Sequence, residues 1–210
     1  MYLKVFEKAV EIIYRTDYYD ESNLDMEPSP KFQVQISSDE NPQMIRDMQS
    51  NLVGKLVCVP GIITSTSKTM IKARKAVFTC NNCGHMKQMD IPFGFAKVSP
   101  PAFCDNSRNP GSEKQNCKMN SYQVNTDKSE FYDHQTIKLQ EAPEMIPTGE
   151  MPRTVLLTTD RYLTDKCTPG NRVKIMGVLS VFNPKKGEGS GKGDKRVSYI
   201  RVLGIQSIVN

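Results

Sequence analysis

The stretches KLVCVPGIITS (residues 55–65) and MIKARKAVFTC (residues 70–80) decide the fold, because both are typical of β-strands. Pro60-Gly61 inside the first stretch predicts a bulge or bend. Four later stretches are also typical of β-strands, namely FYDHQTIKLQ (131–140), RTVLLTTD (153–160), NRVKIMGVLSVF (171–182) and RVSYIRVLGIQSIV (196–209). Turn-rich connectors separate them, and no segment between them reads as a crossover helix.

Several short strands with glycine bends predict a small Greek-key barrel of OB type, and an ordinary β-sandwich is the alternative. Leu3, Phe6, Val10 and Ile13 have helical spacing, which predicts an amphipathic helix ending near Arg15. The predicted class is therefore mainly β with a small helical part. The predicted division is a helical segment (1–28), a barrel (29–77 and 132–210) with a basic β-hairpin (182–198), and an insert (78–131).

Four of the six cysteines lie within the insert, at Cys80, Cys83, Cys104 and Cys117. The C-x₂-C-G sequence that begins at Cys80 is typical of a zinc knuckle, and tetrahedral Zn²⁺ prefers four such soft ligands. The spacing from Cys104 to Cys117 departs from a second C-x₂-C, so His85 is an alternative fourth ligand. A closed set of four ligands predicts a structural zinc, which holds an insert too polar to bury much core.

Two other interpretations of these cysteines are disfavoured. A disulfide pair has no secretory signal to support it, and a redox C-x-x-C has no βαβ context. The insert carries almost no net charge, so we expect it to contact protein rather than DNA. The sequence thus predicts a zinc ribbon used for assembly.

Positive charge is concentrated in two stretches outside the insert. Residues 51–77 contain five bases and no acid, and residues 184–210 contain six bases and two acids. In the second stretch a glycine-rich tip gathers five cations, namely Lys185, Lys186, Lys192, Lys195 and Arg196. A projecting hairpin of this kind suits contact with a sugar-phosphate backbone, whereas the alternative is a solvated loop.

The first basic stretch places Lys72 and Arg74 two residues apart, so on a strand they share one face. OB barrels bind single strands across such a face. Phe78 and Tyr199 are the nearest candidates for stacking on bases, although either could instead belong to the core. Few aromatic residues beside many cations predict binding without sequence preference and with strong salt dependence.

The sequence contains none of the catalytic motifs that we sought. It has no G-x-x-x-x-G-K-[ST] loop, no H-E-x-x-H and no G-x-S-x-G, and its two histidines are His85 and His134. We interpret the Asp133-His134 pair as structural. No run of 18 apolar residues occurs either, so we expect no membrane span.

Two segments, 55–84 and 139–181, closely resemble the N-terminal region of MCM (minichromosome maintenance) replicative helicases. The resemblance rests on the G-I-I strand, the basic strand, the zinc insert, the Q-E-x-P connector at 140–143 and the P-G-x-R-V-x-I-x-G strand at 169–177, in that order. It covers about residues 30–210. Within the family, HQTIKLQEAPEMIPTGEMPR (134–153) and DRYLTDKCTPGNRVKIMG (160–177) look most like the fifth subunit of the eukaryotic heterohexamer.

The resemblance implies a non-catalytic, nuclear, DNA-encircling tier of a ring, with its ATP-dependent motor beyond Asn210. Other MCM subunits would be its partners, in a hexamer and a head-to-head double hexamer. Residues 184–197 would be a hairpin in the central channel, and Lys72 and Arg74 would match a region that contacts single-stranded DNA. Gln140 and Glu141 would begin a loop that communicates with the motor tier, and the N-terminal helix would belong to a helical subdomain.

Two other functions compatible with the residues are a free-standing single-strand-binding module and a protein assembly scaffold. The first would share the barrel, the zinc and the basic face, but it does not explain the Q-E-x-P connector. In the second, the basic hairpin would meet an acidic protein. We distinguish the scaffold from the leading interpretation by measuring DNA binding.

Overall fold

The structure, a computed structural model, describes residues 2–18, 31–39, 41–96, 98–108, 117–183 and 196–208. Within these ranges one α-helix, α1 (Tyr2–Tyr18), precedes seven strands. They are β1 (Leu56–Thr66), β2 (Met70–Cys80), β3 (Met86–Asp90), β4 (Tyr122–Gln140), β5 (Thr154–Asp160), β6 (Arg172–Phe182) and β7 (Val197–Ser207). The prediction of a mainly β chain with a small helical part is confirmed.

Five of these strands close into a ring. β1 pairs with β6 and β4, β6 pairs with β7, β7 with β5, and β5 with β4. Every pair in the ring is antiparallel except β5 with β7. Ring closure leaves no exposed barrel edge and is consistent with the predicted OB-type barrel rather than with two stacked sheets.

Two long strands, β2 and β4, connect the insert to the barrel. β4 pairs with β1 and β5 through its C-terminal half, and with β2 along its N-terminal half. β2 continues from the barrel to the first cysteine of the insert and also pairs with β3. The register of β2 against β4 shifts on both sides of Lys75, which bends the ladder where it leaves the barrel.

The barrel and the insert have separate cores. Inward-facing residues of the ring strands fill the barrel, including Val59, Ile137, Leu157, Ile175 and Ile200. The insert has a smaller cluster of six buried residues, Ala76, Phe78, Cys80, Ile91, Cys104 and Tyr122. Two of these six are cysteines, so apolar burial contributes little to the stability of the insert.

Strand β1 continues through Pro60-Gly61 without the bulge or bend that the sequence predicted. The pairing of β1 with β6 is continuous through both residues, and the irregularity lies further on, between Ile63 and Ser65 opposite β4. A Cβ at Gly61 would overlap the carbonyl oxygen of Gln140. This glycine therefore permits a close approach of two strands rather than a bend.

The predicted helix is present, but its buried face differs from the prediction. Phe6, Val10 and Ile13 are exposed, whereas Glu7 is half-buried. Glu7 accepts two hydrogen bonds from the Arg161 guanidinium, at 2.7 and 3.1 Å. Leu3, the first residue of the predicted stripe, is half-buried, and the ion pair adds a polar contact between α1 and the barrel. The helix continues past Arg15 to Tyr18.

Gly204 of β7 provides a test of this packing. The Ile36 N–H donates to the carbonyl oxygen of Leu203 at 3.1 Å, and a Cβ on Gly204 would overlap the backbone of Ile36. We expect Gly204→Ala to lower the free energy of unfolding by about 1–3 kcal/mol, because backbone atoms cannot move aside cheaply. Denaturant titration measures this, with Ser207→Ala as the control, and equal stability of the Gly204 variant and the parent would contradict the contact.

Candidate metal centre and nucleic-acid surface

The four cysteines of the insert come together in space. Their sulfur atoms all lie within 4.8 Å of one another, and the Cys83 and Cys104 sulfurs are 3.5 Å apart. Four thiolates at the usual Zn–S distance would be about 3.8 Å apart around a tetrahedral ion. In the described part of the chain Cys117, and not His85, completes this group of four. The cluster is therefore a possible metal site whose dimensions fit zinc.

A tight backbone turn positions the first two thiols, those of Cys80 and Cys83. The Cys80 N–H donates to the His85 carbonyl at 2.9 Å, and the Gly84 N–H donates back to the Cys80 carbonyl at 2.8 Å. Gly84 has a φ of 70°, which a residue with a Cβ adopts only with strain. This tight turn brings the Cys83 side chain back towards Cys80 at the end of β2.

The thiols differ in their tendency to ionise. Burial opposes ionisation of Cys80, but hydrogen bonds from Ser121 and from the backbone of Cys83 and Asn82 lower its pKa to about 6. Burial, followed by the neighbouring thiols, raises the pKa of Cys117 to about 12. Four thiolates this close repel one another, so a cation is required for all of them to ionise.

Most of the predicted hairpin cations lie outside the described residues, namely Lys185, Lys186, Lys192 and Lys195. The fifth, Arg196, is exposed immediately before β7. The strands that flank the predicted hairpin are well defined, since Phe182 at the end of β6 pairs with Val197 at the start of β7. The structure therefore describes the base of the predicted hairpin.

Lys72 and Arg74 lie two residues apart in β2, and both contact a loop of the insert. The Lys72 ammonium donates a hydrogen bond to the Gly94 carbonyl. The Arg74 guanidinium lies over the Phe93 ring, 5.8 Å from its centroid. A loop from the insert, IPFGFA (91–96), therefore covers part of the predicted DNA-binding face.

Neither residue considered for base stacking is exposed. Phe78 is 1% exposed and Tyr199 is 7% exposed. Tyr199 packs edge-to-face against Phe95, which stacks on Phe182 with the ring centroids 4.2 Å apart. Phe78 and Tyr199 therefore belong to the core, which was the alternative interpretation.

Sequence reasoning missed the role of Phe93 and Phe95. The loop that carries them docks at the base of the predicted hairpin, and a Cβ on Gly94 would overlap the Tyr199 hydroxyl. Two aromatic residues flanking a glycine in an otherwise polar insert were the available signal. His134, interpreted as structural, is buried and lies 2.8 Å from the Asp160 carboxylate.

Gln140 is the last residue of β4, and Glu141, which follows it, is buried. The Arg46 side chain donates two hydrogen bonds to its carboxylate, at 2.8 and 3.1 Å. The backbone N–H groups of Arg46 and Arg153 donate two more. The hydrogen bond from the Arg46 side chain outweighs burial and holds the pKa of Glu141 below its usual value. The sequence did not identify Arg46 as the partner.

Comparison with known proteins places this barrel in a family. Residues 43–183 match the family described as the MCM OB domain. The chain belongs to the MCM family. The family resemblance inferred from the sequence is therefore confirmed, and it covers most of the barrel and the whole of the cysteine cluster.

Among its curated relatives, the chain is similar to a DNA replication licensing factor mcm5 of Dictyostelium discoideum, with 39% identity over 96% of this chain. It is also similar to DNA replication licensing factor MCM5 of Arabidopsis thaliana, with 36% identity over 98% of the chain, and to mcm5-A of Xenopus laevis, with 40% over 84%. These similarities support the assignment to the fifth-subunit group. The chain spans 26%, 29% and 24% of the respective relatives.

None of the helices in the described ranges is both long and apolar enough to cross a membrane.

Proposed function

We propose that this chain is the DNA-binding, ring-forming N-terminal part of an MCM helicase subunit and encircles DNA during replication. The observation that carries the proposal is the position of the basic stretch in the family's barrel. β6 and β7 leave the barrel as an antiparallel pair at Phe182 and Val197, and the sequence between them supplies five cations. Such a segment suits contact with phosphates rather than reading of bases.

We also propose that Cys80, Cys83, Cys104 and Cys117 hold one structural zinc ion. The mutual distances of the sulfurs and the soft character of four thiols support this assignment. When bound, zinc supplies a cross-link between the turn after β2 and the two loops that precede β4. In this proposal residues 78–131 form a zinc ribbon that meets its counterpart in a head-to-head double hexamer.

We propose the remaining assignments on the basis of the family resemblance. Residues 1–28 belong to a helical subdomain, and residues 29–77 and 132–210 form the OB barrel. Gln140 and Glu141 begin a loop that communicates with the ATP-dependent motor tier, which is a separate part of the helicase. The partners are DNA and other MCM subunits of a hexamer, and the location is the nucleus, where replication takes place.

Replacing Lys185, Lys186, Lys195 and Arg196 by alanine tests the proposal. We expect affinity for single-stranded DNA to fall at low salt, because released counterions drive phosphate binding. The slope of log K against log salt should become shallower by about 0.7 for each phosphate that the variant no longer neutralises. Fluorescence anisotropy at several salt concentrations measures both quantities.

The matched control replaces four exposed lysines elsewhere, Lys55, Lys118, Lys128 and Lys138, by alanine. This variant loses the same charge, and we expect it to keep most of the salt dependence. Equal affinity and equal slope for the hairpin variant and the parent would contradict DNA binding by the hairpin and favour the assembly scaffold.

A further inference from the structure

A groove separates α1 from the barrel on a part of the surface that the DNA-binding proposal does not use, except for Arg74. Its volume is about 650 Å³, within the range of sites that enclose a ligand. Its walls come from α1, from the segment that begins at Lys31, from β2 and β4, and from the turn that follows β5.

The lining of the groove is rich in cations. Six of them line it, namely Lys4, Lys8, Lys31, Arg74, Arg161 and Lys166. They come from parts of the chain that are distant in sequence, so folding itself gathers them. Like charges brought together raise the free energy of the folded state unless anions lie nearby.

Four carboxylates also line the groove, but three of them are already paired. The pairs are Glu7 with Arg161 at 2.7 Å, Glu11 with Arg15 at 2.8 Å, and Glu130 with Lys75 at 2.9 Å. Arg15 and Lys75 lie outside the lining, so two carboxylates are satisfied by cations that do not line the groove. Among the described residues, five lining cations have no carboxylate within 4 Å, namely Lys4, Lys8, Lys31, Arg74 and Lys166.

Phe93 gathers three of the lining cations at the edge of the groove. The charged groups of Lys4, Arg74 and Arg161 lie 5.7, 5.8 and 5.6 Å from the centroid of its ring. The negative face of an aromatic ring attracts cations without neutralising them. The Phe93 ring therefore contacts all three side chains without neutralising them, and of the three Arg161 is already paired with Glu7.

The groove also offers apolar contact. Phe131 and Tyr162 line it and are 45% and 56% exposed. Surfaces that follow a nucleic acid backbone are positive along their length, whereas Glu130 and Asp133 interrupt this lining. Cations interspersed with aromatic rings and a few acids match a peptide that carries anionic groups beside an apolar side chain.

We propose that this groove binds an anionic peptide segment of a protein partner, whose phosphates or carboxylates contact Lys31, Arg74 and Lys166. The apolar side chain of that segment rests on Phe131 and Tyr162. The site goes beyond the proposed function, since it recruits protein at the junction between helix and barrel and leaves the hairpin for DNA.

Binding to immobilised degenerate peptide libraries tests this proposal on the whole chain. One library has a fixed central phosphoserine, a second has two fixed aspartates, and a third has a fixed serine. We expect retention by the phosphoserine or aspartate library and not by the serine library. The comparison of the first two libraries identifies phosphate or carboxylate as the anion.

The Lys31→Glu/Lys166→Glu variant reverses two groove charges at exposed positions, and Lys55→Glu/Lys118→Glu is the matched control. We expect at least about tenfold weaker peptide binding by the groove variant alone, a change of one decade in Kd. Circular dichroism of both variants confirms folding. Affinity of both variants for a thymidine oligonucleotide should remain equal, because neither pair includes a hairpin cation.

Three outcomes would overturn the proposal. The groove variant could retain the peptides as well as the control does, or all three libraries could bind the parent equally. A loss of oligonucleotide affinity confined to the groove variant would assign the groove to nucleic acid. Failure of the hairpin to bind DNA would be a separate result, since the peptide assay does not depend on it.

Discussion

Removal of zinc, by chelation or by Cys104→Ser, is expected to unfold the insert while the barrel remains folded. Among the described residues, the cluster of the insert has six buried members, two of which are cysteines. Binding of structural zinc to small domains contributes on the order of 10 kcal/mol, which exceeds what so small a cluster supplies. The barrel has a separate, largely aliphatic core, so we expect its fold to persist without the metal.

Metal analysis and limited proteolysis measure this effect. The parent should contain about one zinc ion per chain, and chelation should expose the insert to cleavage between Cys80 and Tyr122. Cys58→Ala is the control, because Cys58 is buried in β1 and lies outside the group of four sulfurs. A metal-free parent with a protease-resistant insert would contradict the assignment.

Loss of zinc should also alter the barrel surface, because the loop at residues 91–96 contacts it. This loop accepts the hydrogen bond from Lys72, and its Phe93 lies beneath the Arg74 guanidinium. Phe95 of the same loop stacks on Phe182 at the base of the predicted hairpin. The insert therefore has a physical connection to both predicted DNA-binding regions, although its own charge is close to neutral.

The strands and the cysteine cluster could be predicted from the sequence because both are encoded by local spacing. Runs of β-branched residues predicted the strands, and the C-x₂-C-G sequence predicted a knuckle at Cys80. The fourth ligand stayed open between Cys117 and His85, since its position depends on how the intervening loops fold. The structure brings Cys117 into the group because the residue precedes β4, which pairs with β2 next to Cys80.

Other features could not be predicted, because they depend on contacts between distant segments. Glu7 and Arg161 are separated by 154 residues, and their pairing places a charged residue of α1 against the barrel. The spacing of the apolar residues predicted helix α1 but not which of its sides faces the barrel. Likewise, strand periodicity predicted that Lys72 shares a face with Arg74, but not that the loop around Gly94 accepts a hydrogen bond from it.

The ion pair between Arg46 and Glu141 depends on the same kind of long-range contact, across 95 residues. It joins the segment before β1 to the end of β4. The side chains are 11% and 3% exposed, and the carboxylate accepts four hydrogen bonds in all. Removing Glu141 takes the acceptor away from two backbone N–H groups and leaves Arg46 with the exposed Glu150 as its remaining carboxylate partner among the described residues. Breaking a buried pair in this way is strongly destabilising.

Glu141→Ala is therefore expected to lower the melting temperature by roughly 6–12 °C at neutral pH, as judged from the usual effect of breaking a buried pair in a chain of this size. Glu150→Ala is the matched control. Glu150 also pairs with Arg46, at 2.7 Å, but it is 54% exposed, so we expect little change. Thermal unfolding followed by circular dichroism compares the two variants with the parent.

The difference in melting temperature between the parent and a Glu141 variant should depend on pH, which gives an independent check. The pKa of Glu141 is held below its usual value by the hydrogen bond from Arg46, so the unfolded chain takes up a proton at a higher pH than the folded chain does. The stabilisation is then complete above the unfolded pKa of about 4.3 and disappears as pH falls through the lower folded value. The melting temperatures of the parent and of Glu141→Gln should therefore converge on acidification. A gap that stays constant or widens at low pH would show that the charge of Glu141 is not what stabilises this junction.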